Sequence, residues 1–167
     1  MQSFSIHPES LLGPVHLTIT DLERALGFYT DVIGLRLFQQ AKNRAWLGVD
    51  EVMPLVVLTA EPGARPKPPH TTGLYHFAIL TPSRLDLARS LRRLLEMDYP
   101  LQGASDHLVS EALYLADPDG NGIEIYADRP RHTWHVRDGQ LQMATVPLNS
   151  NDLLAELDTD SRPWSGL

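Results

Sequence analysis

The sequence predicts an α+β fold in which two βαβββ modules form a cup-shaped mixed sheet with helices on the outer face. A strand-like run, a helix-like run and three further strand-like runs occur twice, and equivalent positions of the two copies lie 60 residues apart. The first strand of each copy alternates apolar and polar residues, so that a helix can cover its apolar face. With 167 residues, 43% of them hydrophobic, the chain is long enough for one domain with a core.

The first module is expected at residues 14–60, after an N-terminal arm of residues 1–13. Its first strand places apolar side chains on one face, namely Val15, Leu17 and Ile19. Asp21 is well placed to cap the helix that follows, and Gly34 to end it. Three short apolar runs are predicted to be the remaining strands, namely 35–39, 45–49 and 55–59.

A proline-rich linker at residues 61–73 separates this module from the second one, at 74–128. The apolar face of the next strand is predicted to carry Tyr75, Phe77 and Ile79. Ser83 and Asp86 form a capping box for a helix that runs to Met97. The remaining strands are expected at 99–102, 110–116 and 123–127. Residues 129–167 are predicted to be an irregular tail or a shortened linker, with a possible short helix at 150–157.

Composition narrows the function. The net charge of −7 and the absence of a Lys/Arg cluster argue against nucleic acid as a partner. The chain has no cysteine, which excludes thiolate metal sites and leaves His, Asp and Glu as the strong ligands. No apolar stretch approaches the ~20 residues of a membrane span, and the N-terminus lacks the pattern of a signal peptide. A cytoplasmic protein that does not bind membranes is therefore expected.

Glu124 is an unusual residue for its place in the chain. It lies between Ile123 and Ile125 in a predicted strand, directly after a Pro-, Gly- and Asn-rich turn. Alternation directs Glu124 to the face opposite the two isoleucines. Taken alone, a carboxylate there is more typical of the wet side of a half-exposed sheet than of a ligand, and the rest of the chain has to decide.

His16 and His76 occupy equivalent positions in the first strands of the two modules. By alternation both point away from the helices, as does Glu124, toward a concavity between the modules. Two neutral imidazoles and one carboxylate form the two-His-one-carboxylate arrangement that holds a divalent ion and leaves coordination positions open. The three residues are therefore predicted to be metal ligands, and no other cofactor site is expected.

Several motifs resemble the vicinal oxygen chelate superfamily, which includes glyoxalase I, bleomycin and fosfomycin resistance proteins, and extradiol dioxygenases. The resemblance extends over residues 14–128, through the segments PVHL, DLERALGFY, YHFAI and DPDGNGIEIY. It is strongest to the amino-terminal half of two-domain catechol 2,3-dioxygenases. The glyoxalase I pattern is incomplete, because strand 55–59 lacks that group's further Glu ligand.

The resemblance to extradiol dioxygenases implies roles for two further residues. His107 resembles their acid-base histidine, and Tyr114 resembles their hydrogen-bonding tyrosine. It also implies ring cleavage of a small aromatic diol with O2 at Fe(II), with Mn(II), Zn(II), Co(II) or Ni(II) as other candidate metals. A homodimer, or a second domain of the same type in a longer parent chain, is the expected assembly.

Two other functions remain open at this point. One is another metal-dependent enzyme of the same fold, such as a glyoxalase-like isomerase, an epimerase or a thiol transferase. The other is a domain that binds a ligand without catalysis, because one fold serves many functions. The substrate and the metal are not determined by these residues.

Overall fold

The computed structural model describes residues 5–65, 67–68, 71–160 and 162–167, and it confirms the α+β class with two βαβββ modules. Parts of three predicted segments lie outside the described residues: 1–4 of the arm, 66 and 69–70 of the linker, and 161 of the tail. No helix among the described residues is long and apolar enough to cross a membrane.

The first module forms a four-stranded sheet in the order β1-β4-β3-β2, in which β1 and β4 are parallel and the other pairs antiparallel. Its elements are β1 Val15–Ile19, α1 Leu22–Gly27, a π-helical turn Phe28–Val32, β2 Arg36–Ala41, β3 Arg44–Gly48 and β4 Val56–Ala60. The Asp21 side chain caps α1 by accepting a hydrogen bond from the backbone N–H of Arg24. Gly34 follows the helical segment with φ +89°, a conformation that favours glycine.

The elements of the second module are β5 Phe77–Leu80, α2 Arg84–Glu96, β6 Gly103–Asp106, β7 Ser110–Ala116 and β8 Gly122–Asp128. They repeat the topology of the first module in the order β6-β7-β8-β5, and one further strand, β11 Val146–Pro147, lies beside β6. Strands β5 and β8 are parallel, as β1 and β4 are in the first module. The Ser83 side chain caps α2, as the sequence predicts, and accepts from the backbone N–H of Asp86.

Two details of the second module differ from the prediction. The strand expected at 99–102 begins instead at Gly103, because Tyr99 packs against the core and donates its hydroxyl to the Ala116 carbonyl. Strand β5 begins at Phe77, so that His76 precedes the strand. Tyr75 is consequently 88% exposed and lies outside the buried face that it was predicted to share with Phe77.

The tail is more ordered than expected. Residues 129–149 contain a small hairpin, β9 Val136–Arg137 with β10 Gln140–Leu141, and then the edge strand β11, Val146–Pro147. The short helix α3, Ser150–Ala155, packs on α2 and continues into a 3-10 turn, Glu156–Thr159. Its Leu153 is fully buried. Strands of two residues carry no measurable alternation, which is why the sequence pattern does not reveal them.

The two modules share one hydrophobic core, to which both sheets and the helices contribute. A set of polar contacts, made by Tyr29 and Thr20 with Asp117 and Asp119 and here called the joint, also connects the two modules. The hydroxyl of Tyr29 in the first module donates to Asp117 in the β7–β8 turn at 2.9 Å. The backbone N–H and the hydroxyl of Thr20 donate to Asp119 in the same turn, at 3.0 and 2.6 Å. The turn that precedes the Glu124 strand is therefore fixed against the first module.

Candidate active site

Four of the predicted site residues form one continuous chain of polar contacts. The Nε2 atom of His76 lies 3.0 Å from Glu124 Oε2, and the Tyr114 hydroxyl donates to Glu124 Oε1 at 2.8 Å. The Nε2 atom of His107 lies 2.8 Å from the Tyr114 hydroxyl oxygen. Both carboxylate oxygens of Glu124 are thereby engaged, one by each neighbour.

Strand register brings these side chains together. Tyr114 on β7 stands directly opposite Glu124 on β8, and residues opposite each other in an antiparallel pair point to the same face. Glu124 is aligned on its other side with Ala78 of β5, two residues after His76. His107 precedes a tight β6–β7 turn in which Leu108 adopts φ +68° and donates its N–H to Asp106.

The chain of contacts borders a cavity of about 430 Å³. The cavity is lined by Tyr75, His76, Gln102, Gly103, Ser105, His107, Tyr114, Leu115, Gly122, Ile123 and Thr145. The aromatic rings of Tyr75 and His76 lie 4.9 Å apart at its rim. A cavity of this volume falls in the range of small-molecule sites.

Three polar lining residues were not anticipated from the sequence, namely Gln102, Ser105 and Thr145. Ser105 lies on β6, a strand that was predicted four residues too early. Thr145 lies next to β11 in the segment that was predicted to be irregular. Gly122 also lines the cavity, and it belongs to the Gly-rich turn that the sequence already marks. A Cβ at this position would overlap the backbone carbonyl oxygen of Tyr75. Glycine at this position permits β8 to lie against the residues just before β5.

Proton positions in the contact chain are constrained. Burial, together with the hydrogen bond to Glu124, raises the pKa of the Tyr114 hydroxyl well above its ordinary value, so that this group stays protonated at neutral pH. The Nδ1 atom of His107 lies 3.0 Å from the carbonyl oxygen of Ala144. A carbonyl oxygen accepts but never donates, so Nδ1 must carry a proton for this contact to be a hydrogen bond.

His16 is not part of this group. It lies on β1 in the other sheet, exposed on the face opposite the buried Leu17 and Ile19, as alternation predicts. It does not border the cavity. Within the described parts of the chain, no three His, Asp or Glu side chains lie close enough together to share a metal ion. The three-ligand site therefore stays a prediction.

The pair that the structure does bring together fits a metal. The His76 Nε2 and Glu124 Oε2 atoms lie 3.0 Å apart in direct contact, so both side chains would reach one ion placed between them. An imidazole nitrogen and a carboxylate oxygen are also the donor types that Fe, Mn, Co and Zn accept.

This fold and site define a known class of protein. The family model of the Glyoxalase/Bleomycin resistance protein/Dioxygenase superfamily matches residues 11–125, and the chain belongs to this superfamily. It is 47% identical over 154 residues to the catechol-2,3-dioxygenase of Bacillus subtilis (strain 168), which is 91% of this chain and 54% of that protein. It is 31% identical over 103 residues to biphenyl-2,3-diol 1,2-dioxygenase 3 of Rhodococcus globerulus, 60% of this chain and 54% of that protein. The chain thus spans about half the length of these curated relatives.

Solved structures support the fold. A glyoxalase/dioxygenase from Nostoc punctiforme superposes with a TM-score of 0.64 at 19% identity, covering 78% of this chain and all of that one. A glyoxylase/bleomycin resistance protein/dioxygenase domain from Frankia sp. EAN1pec gives 0.61 at 21% identity, covering 74% of this chain and 95% of that one. At these identities the likeness concerns the fold alone.

Proposed function

We propose that this chain is an extradiol ring-cleaving dioxygenase domain that acts on a small catechol with O2. The observation that carries the proposal is the contact chain His76–Glu124–Tyr114–His107 along the 430 Å³ cavity. It joins a pair of metal-type donors to two groups that can hold and transfer protons. The similarity to two dioxygenases of catechol-type substrates supports the choice among the reactions known on this fold.

The proposed metal ligands are His76, Glu124 and His16, and the proposed metal is Fe(II) or Mn(II). A divalent ion at this site would hold the two oxygens of a catechol and leave a coordination position for O2. The direct contact of 3.0 Å between His76 and Glu124 supports their place in this set. His16 supplies the right donor atom from the other module, but its inclusion requires the β1 face to approach the pair, which makes His16 the decisive ligand to test.

Tyr114 and His107 would handle the substrate and its protons. The Tyr114 hydroxyl remains protonated and lines the cavity, so that it can turn from Glu124 and donate its hydrogen bond to a catechol oxygen instead. His107 is adjacent to it, with Nε2 as the nitrogen nearest to Tyr114, so that this atom can accept a proton from the substrate and return it to the product. Leu115 and Ile123 border the cavity through their backbone, because their side chains are fully buried in the core on the other face of the sheet.

The test combines metal loading with turnover. The protein, loaded with Fe(II) without oxygen, is expected to consume O2 when catechol is added and to form a yellow ring-cleavage product. Elemental analysis of the H16A, H76A and E124A variants should show loss of metal, whereas H132A, which changes an exposed histidine outside the cavity lining, should load normally. Full metal content in H76A would refute the site, and full content in H16A would remove His16 from the ligand set.

A second pair of outcomes separates catalysis from binding. Tyr114→Phe keeps the aromatic ring and removes only the hydroxyl, so we expect metal content to be unchanged and kcat to fall about 10²- to 10⁴-fold, the range for a lost proton-transfer group. Normal metal loading of the unmodified chain without any O2 uptake would refute the dioxygenase proposal. It would leave a metal-dependent enzyme of another kind or a ligand-binding domain.

A further inference from the structure

Residues 142–148, here called the edge segment, lie beside the cavity in the part of the tail that the sequence pattern predicts to be irregular. It contains β11, which pairs with β6 through Val146 and Asp106. Its Thr145 lines the cavity, and the carbonyl oxygen of Ala144 lies 3.0 Å from His107 Nδ1. The Thr145 hydroxyl lies 3.4 Å from the same nitrogen, at the limit of a hydrogen bond.

The residues that follow Ala144 hold the edge segment against both the second sheet and helix α2. Strand β11 adds to the second sheet, and directly after it α3 packs against α2 with Leu153 buried. Arg84 of α2 binds Asp152 and Glu156 on the helical side, each at 2.6 Å, and binds Glu111 of β7 through its Nε atom at 2.6 Å. The position of the Ala144 carbonyl is therefore set by the fold and not by the loop alone.

The surroundings of the His107 ring fix one of its protons, the proton on Nδ1. Nδ1 faces an oxygen that can only accept, so its proton is required in both the neutral and the cationic ring. Nε2 faces the Tyr114 oxygen, which has a single proton and two neighbours at 2.8 Å, Nε2 itself and Glu124 Oε1. A neutral His107 with its proton on Nδ1 accepts the Tyr114 proton at Nε2, whereas a cationic His107 donates from Nε2 to Tyr114, whose own proton then goes to Glu124. Of the two ring nitrogens, only Nε2 can therefore gain or lose a proton.

We propose that the edge segment is a positioning element that fixes the tautomer of His107, with Ala144 holding the Nδ1 proton so that proton exchange takes place through Nε2, on the side of Tyr114. A free neutral imidazole in water favours the opposite tautomer, with the proton on Nε2 and with Nδ1 as the acceptor. In that form His107 could not accept a proton at the atom nearest to Tyr114. The catalytic consequence rests on the proposed function, whereas the tautomer itself does not.

The direct test is long-range ¹H–¹⁵N NMR on the complete chain with ¹⁵N-labelled histidine, above the pH at which the ring becomes neutral. The His107 signals are assigned by their absence in His107→Gln. We expect a protonated, pyrrole-type Nδ1 and a pyridine-type Nε2, while the exposed His132 shows the opposite or an averaged pattern. A pyridine-type Nδ1 on His107 would overturn the proposal, whatever the activity of the enzyme.

Two variants separate the carbonyl from its neighbours. Thr145→Val removes the hydroxyl but keeps the backbone, so the tautomer should persist. Insertion of one glycine between Ala144 and Thr145 displaces the carbonyl from His107 and should produce a mixture of tautomers, together with a lower kcat at similar KM in the metal-loaded enzyme. A glycine inserted at Asp138–Gly139, in the β9–β10 turn, serves as the matched control and should change neither property.

Each possible result of these experiments either supports or refutes the assignment of the tautomer. If Thr145→Val shifts the tautomer and the insertion at 144 does not, the hydroxyl is responsible and the proposal is wrong. If the insertion at 144 unfolds the chain, the spectrum of the unmodified protein and of Thr145→Val still decides. A pyrrole-type Nδ1 in a protein that takes up no O2 would support the tautomer assignment and refute the dioxygenase proposal independently.

Discussion

The hydrogen bond between Tyr29 and Asp117 offers a strict test of how the two modules are joined. Tyr29 is fully buried and Asp117 is 4% exposed. The tyrosine hydroxyl donates to Asp117 Oδ2 at 2.9 Å, across 88 residues of sequence. Asp117 also accepts from the backbone N–H groups of Asp119 and Asn121 and from the Asn121 side chain, so its carboxylate has four donors. Tyr29→Phe removes one of them and leaves the ring in place.

The expected loss follows from the charge on the acceptor. A hydrogen bond to a charged group contributes about 1.5–3 kcal/mol, and because three donors remain on Asp117 we expect a loss near the middle, about 2 kcal/mol. For a chain of this length that corresponds to a fall in Tm of about 4–8 °C. Burial raises the pKa of the Tyr29 hydroxyl far above its ordinary value, and the charge of Asp117 and the hydrogen bond to it raise this pKa further, so the donor stays protonated across the accessible pH range.

The assay is urea unfolding followed by far-UV circular dichroism, with a double-mutant cycle of Tyr29→Phe and Asp117→Asn. Two residues in direct contact should show a coupling energy of about 1–2 kcal/mol. Tyr126→Phe is the matched control, because burial and nearby charges, without a hydrogen bond from any described residue, act on its hydroxyl, and it should change stability by less than about 0.5 kcal/mol. Equal effects of the two Tyr→Phe changes, or a coupling energy near zero, would show that this contact does not hold the modules together.

Three further predictions concern the second module and the tail. Glu111 is 3% exposed and paired with Arg84 and a second arginine, so Glu111→Gln should cost about 2–3 kcal/mol in urea unfolding, and an unchanged midpoint would contradict the pairing. Gly122→Ala places a methyl group against the Tyr75 carbonyl and should lower metal affinity by displacing the neighbouring histidine, as measured by competitive chelation; unchanged affinity would contradict the close approach. Asp160 has its pKa lowered from 3.8 to about 2, first by a hydrogen bond from Arg162, so its stabilising effect is complete above its ordinary pKa and is lost as the pH falls toward 2. Asp160→Asn should therefore flatten the dependence of the unfolding midpoint on pH between about 4 and 2, and an identical pH profile would refute that assignment.

Local patterns predicted the elements that carry their own signal. Alternation correctly placed Leu17 and Ile19 inside and His16 outside, and the Ser83–Asp86 pair marked the start of α2. Local patterns failed where tertiary packing decides. The Tyr99 region looked like a strand because it is apolar, but its tyrosine instead packs against the core. The edge strand β11 is too short for any periodicity, although Ala144, two residues before it, supplies the carbonyl that faces His107.

The site residues also fall into those that local patterns predict and those whose placement depends on tertiary packing. Parity in the hairpin predicts that Tyr114 and Glu124 share a face, and the register confirms that they stand opposite each other. Alternation also predicts that His16 points away from the core, which the structure shows. What alternation does not contain is the distance between two sheets, because that distance depends on their twist and on the contacts between modules. His16 is therefore the one predicted site residue that the structure leaves apart from the other four.

The separation of His16 from the pair of His76 and Glu124 makes the joint between modules a matter of function as well as stability. Glu124 follows the turn that contains Asp117 and Asp119, and that turn is bonded to Thr20, one residue after β1 ends. A shift of the first module along this joint moves β1, and with it His16, relative to Glu124. If His16 is a ligand, a variant that loosens the joint should weaken metal binding in the folded protein, and this effect should vanish when His16 is already alanine. If His76 and Glu124 bind the ion without His16, the same variant should lower stability and leave metal affinity unchanged, so the two measurements together locate the third ligand.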